Sequence, residues 1–304
     1  MVALRVTTFS GEMPIRDLRL LPDDASVQAV NVDPSGGSLK SIIGPSLIKT
    51  LLSTTKTVYK LPYNSSNVAI DPNNMLDATW LEFSDIHTDV LRTPNINDSF
   101  ERYYWASPST GLLYAPRADL GTSGPSAGIG VGIEVPPTAL TVASTGGTPE
   151  GPSVTRAYMQ TFVSIYGEEG QPGPTAEAAG KADGDWTITS IDQPVNGPTT
   201  TEIDRIRIYR TITASSGVTT FFRVATLPVG TTTYVDILSD SVVSANQQIE
   251  STLWAPPPAG LEGIVAMPNG IFVAWKGNTL YFSENYRPHG RRAENVLSPQ
   301  FSPV

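Results

Sequence analysis

The chain of 304 residues contains no cysteine, which excludes disulfide cross-links and thiolate-bound metal sites. Only 16% of its residues are charged, too few for the solvated faces of long helices. With a formal net charge of −9 it lacks a basic stripe, so specific nucleic-acid binding is not expected. No run approaches the ~18 apolar residues of a membrane span, and the first ten residues do not read as a signal peptide.

Glycine and proline are plentiful instead, with 26 residues of each. This content indicates many turns between short elements, and it stays below the level of disordered chains. Hydrophobic residues, at 39%, are sufficient for packed cores. A chain of this length has room for two or three domains. The composition therefore favours an all-β protein built from several small parts.

Residues 136–258 carry the most regular pattern. Side chains alternate between two faces in residues 157–166, and again in residues 205–211, where Ile206 and Ile208 share a face. Short strands at this spacing, with turn signals between them, are typical of a β-sandwich. We therefore predict an immunoglobulin- or fibronectin-like sandwich in this part of the chain.

Further short strands occur on both sides of the sandwich, and Asn269-Gly270 is a strong hairpin signal. Near the start, Pro22 and the acids after it predict a short helix in an extended arm. The predicted organisation is an N-terminal docking arm (1–50), the first part of a second β domain (51–120), a Gly/Ser-rich linker (121–135), the sandwich (136–258), and β hairpins with a C-terminal tail (259–304).

No residue pattern predicts catalysis, a metal site or a cofactor. The two histidines, His87 and His289, lie about two hundred positions apart, and no Gly-x-Ser-x-Gly motif accompanies them. Glu168 and Glu169 are adjacent on a turn, where they are expected to point apart and stay solvated. The glycines of residues 128–132 have no strand before them and no helix after them, unlike a dinucleotide-binding motif. We expect a protein that is not an enzyme.

Three clusters allow two interpretations each. The aromatic run Tyr103–Trp105 suits a strand in a core or a platform for sugar rings. Arg205, Arg207 and Arg210 suit the solvent face of a strand or a surface for a partner. The acidic segment 183–185 suits a polar hairpin tip or part of a cation-binding loop, although a calcium loop needs more oxygen ligands.

Three groups of segments together resemble a family of bacteriophage tail structural proteins, those that form the tubular nozzle of short-tailed phages. They are Phe9–Pro14 with Leu20-Leu21-Pro22; Trp80–Phe83 through Arg92-Thr93-Pro94 to Glu101–Trp105; and Tyr158–Pro172, Ile208–Thr211, Trp254–Pro258, Pro268-Asn269-Gly270 and Phe282–His289. The resemblance implies a fibronectin-like module between parts of a second, propeller-like β domain. Gly290-Arg291-Arg292 stands where the family usually has Trp-Pro, so we expect the distal part of that domain to be reduced or absent.

The resulting hypothesis is a virion structural protein of a phage tail, a nozzle, tube or head–tail connector. It would be made in the bacterial cytoplasm and assemble as a ring of identical copies, hexameric or dodecameric, through which viral DNA passes without specific binding. Its other partners would be tail, adaptor or fibre proteins. The alternative is an adhesin that binds a host-surface glycan. The residues predicted at interfaces are Phe9, Leu20, Leu21, Tyr103, Tyr104, Trp105, Trp254, Tyr286 and His289.

Overall fold

The computed structural model describes residues 10–13, 17–22, 24–28, 32–33, 40–41, 47–64, 66, 68–69, 78–195, 202–213 and 219–298. The chain divides into two compact units, residues 1–50 and residues 51–304. Within the described ranges, strands dominate the regular structure and only two short α-helices occur. No helix in this part of the chain is long and apolar enough to cross a bilayer. The predicted all-β class is confirmed.

The first unit contains two pairs of very short strands. Strand β1 (Gly11–Glu12) lies parallel to β2 (Ala25–Ser26). Strand β3 (Val32–Asp33) lies antiparallel to β4 (Lys40–Ser41). Such short ladders contribute few hydrogen bonds, so the described part of this unit has little regular structure of its own.

The short helix predicted after Pro22 is wrong over residues 24–28, where the backbone is extended or turned. Pairing with β1 holds these residues in place, and the Ser10 amide donates to the Asp24 carbonyl at 2.8 Å. A 3₁₀ turn at Leu18–Leu20 is instead the helical element described here. Tertiary pairing has overridden the local start signal, as it often does for weak helix propensities.

The second unit begins with a hairpin of β5 (Thr57–Lys60) and β6 (Trp80–Phe83). A four-stranded antiparallel sheet follows, called the middle sheet, with strands β7 (Asp89–Arg92), β8 (Tyr103–Ser107), β9 (Gly111–Ala115) and β10 (Ile129–Gly130). Its order is β10-β9-β8-β7. Helix α1 (Arg117–Ser123) and a 3₁₀ turn (Gly124–Ala127) join β9 to β10. The segment predicted as a linker thus contains regular structure that is hydrogen-bonded to the middle sheet.

The sandwich follows, with two sheets of three and four strands. Its strands are β11 (Thr141–Thr145), β12 (Ser153–Ser164), β13 (Ala176–Lys181), β14 (Asp185–Thr189), β15 (Ile203–Thr213), β16 (Thr219–Pro228) and β17 (Tyr234–Asp236). The orders are β11-β14-β17 and β13-β12-β15-β16. Helix α2 (Asp240–Val243) comes directly after it.

One hydrophobic core joins the two sheets of the sandwich. Trp186 and Ile188 of β14 meet Phe162, Ile206 and Ile208 of the larger sheet, and each of these side chains is at most 1% exposed. The alternation of β15 makes this possible, because Ile206 and Ile208 point to the same face. Fully burying each such side chain contributes roughly 1.5–3 kcal/mol. The core explains why this part of the sequence has the clearest strand pattern.

A last antiparallel sheet, called the C-terminal sheet, contains β18 (Gly263–Ala266), β19 (Phe272–Lys276), β20 (Thr279–Phe282) and β21 (Val296–Leu297), in that order. The predicted turn at Asn269-Gly270 connects β18 to β19. Gly270 has φ +77°, a conformation that a residue with a Cβ rarely adopts. The predicted hairpins are confirmed here.

The hairpin, the middle sheet and the C-terminal sheet pack in that order as three layers, called the sheet stack. Alternation along β8 places Tyr104 and Ala106 against the C-terminal sheet and Tyr103 and Trp105 against the hairpin. The middle sheet therefore has both faces buried. The hairpin and the C-terminal sheet each pack one face against the middle sheet. Their other faces point toward the two ends of the stack.

Candidate functional site: a buried junction and the predicted interface residues

The residues predicted at interfaces differ widely in exposure. Leu20 and Tyr286 are exposed, by 71% and 55%. Leu21 is partly exposed, and Phe9 lies outside the described residues. The other five are buried inside the chain, namely Tyr103, Tyr104, Trp105, Trp254 and His289. Their burial means that most of these side chains join parts of one chain rather than face solvent.

The aromatic run of β8 connects the three layers of the stack. Trp105 packs against Phe83 of the hairpin, with ring centroids 6.3 Å apart. Tyr104 meets Phe272 of the C-terminal sheet edge-on at 5.0 Å. Both rings of β8 are only 1% exposed. Because neither presents a free face, the run does not offer a platform on which a sugar ring could stack.

Arg102 stands at the junction between the sandwich and the sheet stack. Its Nε donates to Asp98 Oδ2 at 2.8 Å, and its Nη1 donates to Glu168 Oε1 at 2.7 Å. Glu168 follows β12 of the sandwich, so the ion pair connects the two parts. The guanidinium also lies 4.4 Å from the centroid of the Tyr166 ring. All three charged side chains are at most 13% exposed.

The C-terminal segment enters the same junction through His289. Its Nδ1 lies 3.5 Å from Glu168 Oε1, and its ring meets Trp254 edge-on at 6.1 Å. Burial by itself would raise the pKa of Glu168. The His289 ring and the Arg102 guanidinium more than offset that effect and lower the pKa to about 2. Glu168 is therefore an ionised, paired carboxylate over the whole neutral range.

Aromatic contacts reinforce the junction. The Phe100 and Tyr166 rings meet edge-on at 4.7 Å. The Tyr114 hydroxyl donates to Glu202 Oε2 at 2.9 Å, and burial raises the pKa of that phenol. Glu202 precedes β15, so this bond again joins the middle sheet to the sandwich. The arrangement fixes one part of the chain against the other.

Comparison with known proteins adds no family to this picture. No protein-family model matches the chain, and a search of curated proteins finds no significant match. The resemblance noted from the sequence therefore remains an interpretation of its motifs. Function has to be argued from the residues and their geometry.

A second buried network lies within the sandwich. Arg210 is fully buried, and it donates from Nη1 to Asp236 Oδ2 at 2.6 Å and from Nη2 to Asp240 Oδ1 at 2.8 Å. Arg156 donates to the same Asp240 oxygen at 2.7 Å, and the Tyr158 hydroxyl donates to Asp236 at 2.9 Å. The interpretation of Arg210 as a solvent-facing residue is wrong. Its partners come from beyond β16, where no local pattern could have indicated them.

The adjacent Glu168 and Glu169 do point apart, as expected, but they are not solvated. Glu169 accepts hydrogen bonds from Arg207 at 2.6 Å, from the Tyr209 hydroxyl at 2.6 Å and from Thr161 at 2.5 Å. With Glu168 bound to Arg102, the two carboxylates serve different ion pairs. They do not form an acid–base pair across a cleft.

An open cavity of about 640 Å³ lies at one end of the sandwich, beside Arg156 and Asp240. Asp183 lies at its edge and accepts a hydrogen bond from the Thr148 hydroxyl at 2.6 Å, which lowers the pKa of its carboxyl. Among the described residues, no group of three or more His, Cys, Asp or Glu side chains is placed to hold a metal ion. His87, the second histidine of the chain, is exposed in a loop.

Arg291 is a further buried charge that the sequence did not predict. It is 4% exposed, and none of its three guanidinium nitrogens has a hydrogen-bond partner in the described part of the chain. Burial lowers its pKa to about 10. A buried guanidinium without an acceptor is costly, so this position contrasts with the paired arginines of the sandwich.

Proposed function

We propose that this chain is a structural protein of a phage tail, a nozzle, tube or head–tail connector, that assembles as a ring of identical copies. The observation that carries the proposal is the apolar surface at the two ends of the sheet stack. Leu51, Leu52 and Val58 are 41–68% exposed at the hairpin end. Val265 and Leu297 are 48% and 53% exposed at the other end. Patches of this kind commonly mark interfaces, and closed symmetry would cover them.

Strand order supports the fibronectin-like part of the proposal. The order β13-β12-β15-β16 corresponds to the C′-C-F-G sheet of that fold, and the β11–β14 pair corresponds to B and E. Strand β17 pairs with β14 rather than with β11, which is a difference from the usual position of strand A. The sandwich would then be a module inserted between the two parts of the sheet stack.

The stack itself supports the propeller-like part. The middle sheet and the C-terminal sheet are both four-stranded antiparallel sheets whose strands follow one another in the chain. Their first strands are neighbours, since the Ile264 amide of β18 donates to Asp89 Oδ2 of β7 at 3.1 Å. Blades of a propeller are four-stranded sheets arranged in this radial way.

The acidic composition suits a channel for DNA. A net charge of −9 would repel phosphates, so DNA would pass without adhering to the wall. The proposed location is the tail of the virion, after synthesis in the bacterial cytoplasm. The proposed neighbours are tail, adaptor or fibre proteins.

The test is the mass of the purified protein in solution, measured by native mass spectrometry and followed by electron microscopy of the particles. A closed ring of identical copies is expected. A chain that stays monomeric up to high micromolar concentration, alone and with tail extracts, would contradict the proposal.

A second candidate, a glycan-binding module, is favoured by the open cavity at the end of the sandwich. Sandwich loops commonly form binding sites, and this cavity combines Arg156 with Asp183 and Asp240. A glycan array tests it, with Asp183→Ala expected to abolish binding. The matched control is Asp185→Ala, because Asp185 is exposed and does not line the cavity. If the wild-type protein bound no glycan on the array, this candidate function would be wrong.

A further inference from the structure

The outward side of the C-terminal sheet is apolar along all four strands. Cross-strand partners lie on one face of a sheet, and the register pairs Val265 with Val273, Val273 with Phe282, and Leu280 with both Trp275 and Leu297. These residues alternate with Ile264, Phe272 and Ala274, which face the middle sheet. The outer face is defined here as Val265, Val273, Trp275, Leu280, Phe282 and Leu297.

The six residues of the outer face are all apolar, and Val273, which is 7% exposed, is the buried one among them. None of its six residues belongs to any of the three clusters of buried side chains. Val265 and Leu297 are about half exposed, and a cavity of about 450 Å³ opens beside Phe282 and Leu297. A continuous apolar sheet face is unusual on a lone soluble protein and indicates an interaction surface.

The opposite end of the stack has a corresponding surface. In the hairpin, Tyr59, Leu81 and Phe83 face the middle sheet, so the register places Val58, Lys60 and Trp80 on the outward side. Glu82 lies on that side too, and it holds the segment before the hairpin by accepting from the Leu52 amide at 2.8 Å. The apolar residues of this side, namely Leu51, Leu52, Val58 and Trp80, are called the hairpin face.

The charges around the two faces are of opposite sign. Lys56 is exposed beside the hairpin face, while Glu82 is already engaged by Leu52 and Thr55. Glu294 is exposed beside the outer face and lines its cavity, while Lys276 donates to the Ala259 carbonyl at 3.0 Å. Each face thus has an available charge that complements the other, which favours their meeting over the meeting of like faces.

The molecule already contains a pairing of this kind. The middle sheet is covered on one side by the hairpin and on the other by the C-terminal sheet, each time by apolar side chains of alternating strands. We propose that the outer face of one copy binds the hairpin face of the next copy, so that the stack continues from copy to copy. A contact between two different faces is heterologous, and its repetition closes a ring when the rotation allows. The inference rests on the proposed ring and names the surfaces that form it.

Cysteine cross-linking tests the contact directly, because the chain has no cysteine of its own. Val58→Cys and Val265→Cys are prepared separately, mixed and treated with a short bis-maleimide. A covalent dimer is expected in the mixture and in neither variant alone, and the double variant should give a ladder. Val195→Cys mixed with Val58→Cys is the control, because Val195 is 83% exposed on the sandwich and should not cross-link.

Charge substitution supplies the second measurement. The double change Val265→Lys with Leu297→Lys should raise the concentration at half assembly by on the order of 100-fold, since two apolar contacts are lost. Ile96→Lys is the control, because Ile96 is 99% exposed on a loop of the middle sheet. A wild-type monomer would overturn the proposed function. A wild-type oligomer that forms no mixed cross-link, or that cross-links through Val265→Cys alone, would overturn this pairing while leaving the oligomer standing.

Discussion

The sandwich and the sheet stack differ in how far each covers its apolar faces within one chain. In the sandwich, both sheets close on one core and the buried Arg210 is paired with two aspartates. In the stack, Val265 and Leu297 of the outer face are about half exposed, and Arg291 is buried without a described hydrogen-bond partner. The sandwich therefore closes its apolar core within one chain, although the side-chain amide of Gln160 and the indole nitrogen of Trp186 have no described hydrogen-bond partner there. The stack has apolar surfaces suited to further contacts.

The largest expected loss of stability comes from removing a partner of the buried Arg210 in the sandwich. Asp236→Ala leaves Arg210 buried with one partner fewer, and loss of one member of a buried pair costs about 3–5 kcal/mol. Unfolding in urea, followed by circular dichroism, should show this loss. Asp204→Ala is the control, because Asp204 pairs with Arg205 while 38% exposed, and it should cost less than about 1 kcal/mol. Equal losses from the two variants would contradict a special role for the buried pair.

The next effect concerns the junction that joins the two regions. The pKa of Glu168 is about 2 in the folded protein against an ordinary value of 4.5, so its folded-state pKa is depressed. Its contribution, about 3 kcal/mol, is present above pH 4.5 and is lost as pH falls toward 2. Glu168→Gln should therefore lower stability at neutral pH and flatten the decline below pH 4.5. Glu150→Gln, an exposed control, should keep the wild-type pH profile.

A substitution in the sheet stack is expected to raise stability rather than lower it. Arg291→Met removes a buried charge that has no described acceptor, and such replacements stabilise by roughly 1–3 kcal/mol where the apolar chain fits. The midpoint of urea unfolding should rise. Arg292→Met is the control next to it, since Arg292 is exposed and pairs with Glu284 at 2.8 Å. A lower midpoint for Arg291→Met would show that the guanidinium is stabilised where it lies, and the contrast between the regions would weaken.

Sequence patterns predict much of the architecture, because the alternation of apolar and polar side chains along a strand involves only residues that are close in sequence. The strands at Ile206–Ile208 and the hairpin turn at Asn269-Gly270 follow from residues within a few positions of one another. Strand β13 (Ala176–Lys181) was not predicted, since its small and charged residues have weak strand preference. It forms because β12 supplies a partner edge over six residue pairs.

The candidate site was less accessible to sequence reasoning. Glu168 meets Arg102 across 66 positions, and Arg210 meets Asp236 across 26. An arginine on an alternating strand faces solvent in most sheets, so only the tertiary arrangement shows that Arg210 is buried. The outer face likewise depends on which layers pack together. Its residues lie in predicted strands except for Leu297, whose strand forms in the predicted C-terminal tail.

The smallest expected loss of stability comes from an exposed ion pair, and it tests whether burial or bond geometry sets the strength of a pair. Arg92 of the middle sheet donates to Glu101 Oε1 at 2.8 Å, the same length as the bond from Arg210 to Asp240, but the Arg92 side chain is 52% exposed. Water screens such a pair and also replaces its hydrogen bonds, so Arg92→Ala should cost less than about 0.5 kcal/mol. Arg102→Ala, ten positions later and largely buried, provides the contrast in the same sheet and should cost several-fold more in urea unfolding. If the two losses were equal, geometry rather than burial would set the strength of these pairs, and the sandwich would differ from the stack only in the number of its ion pairs.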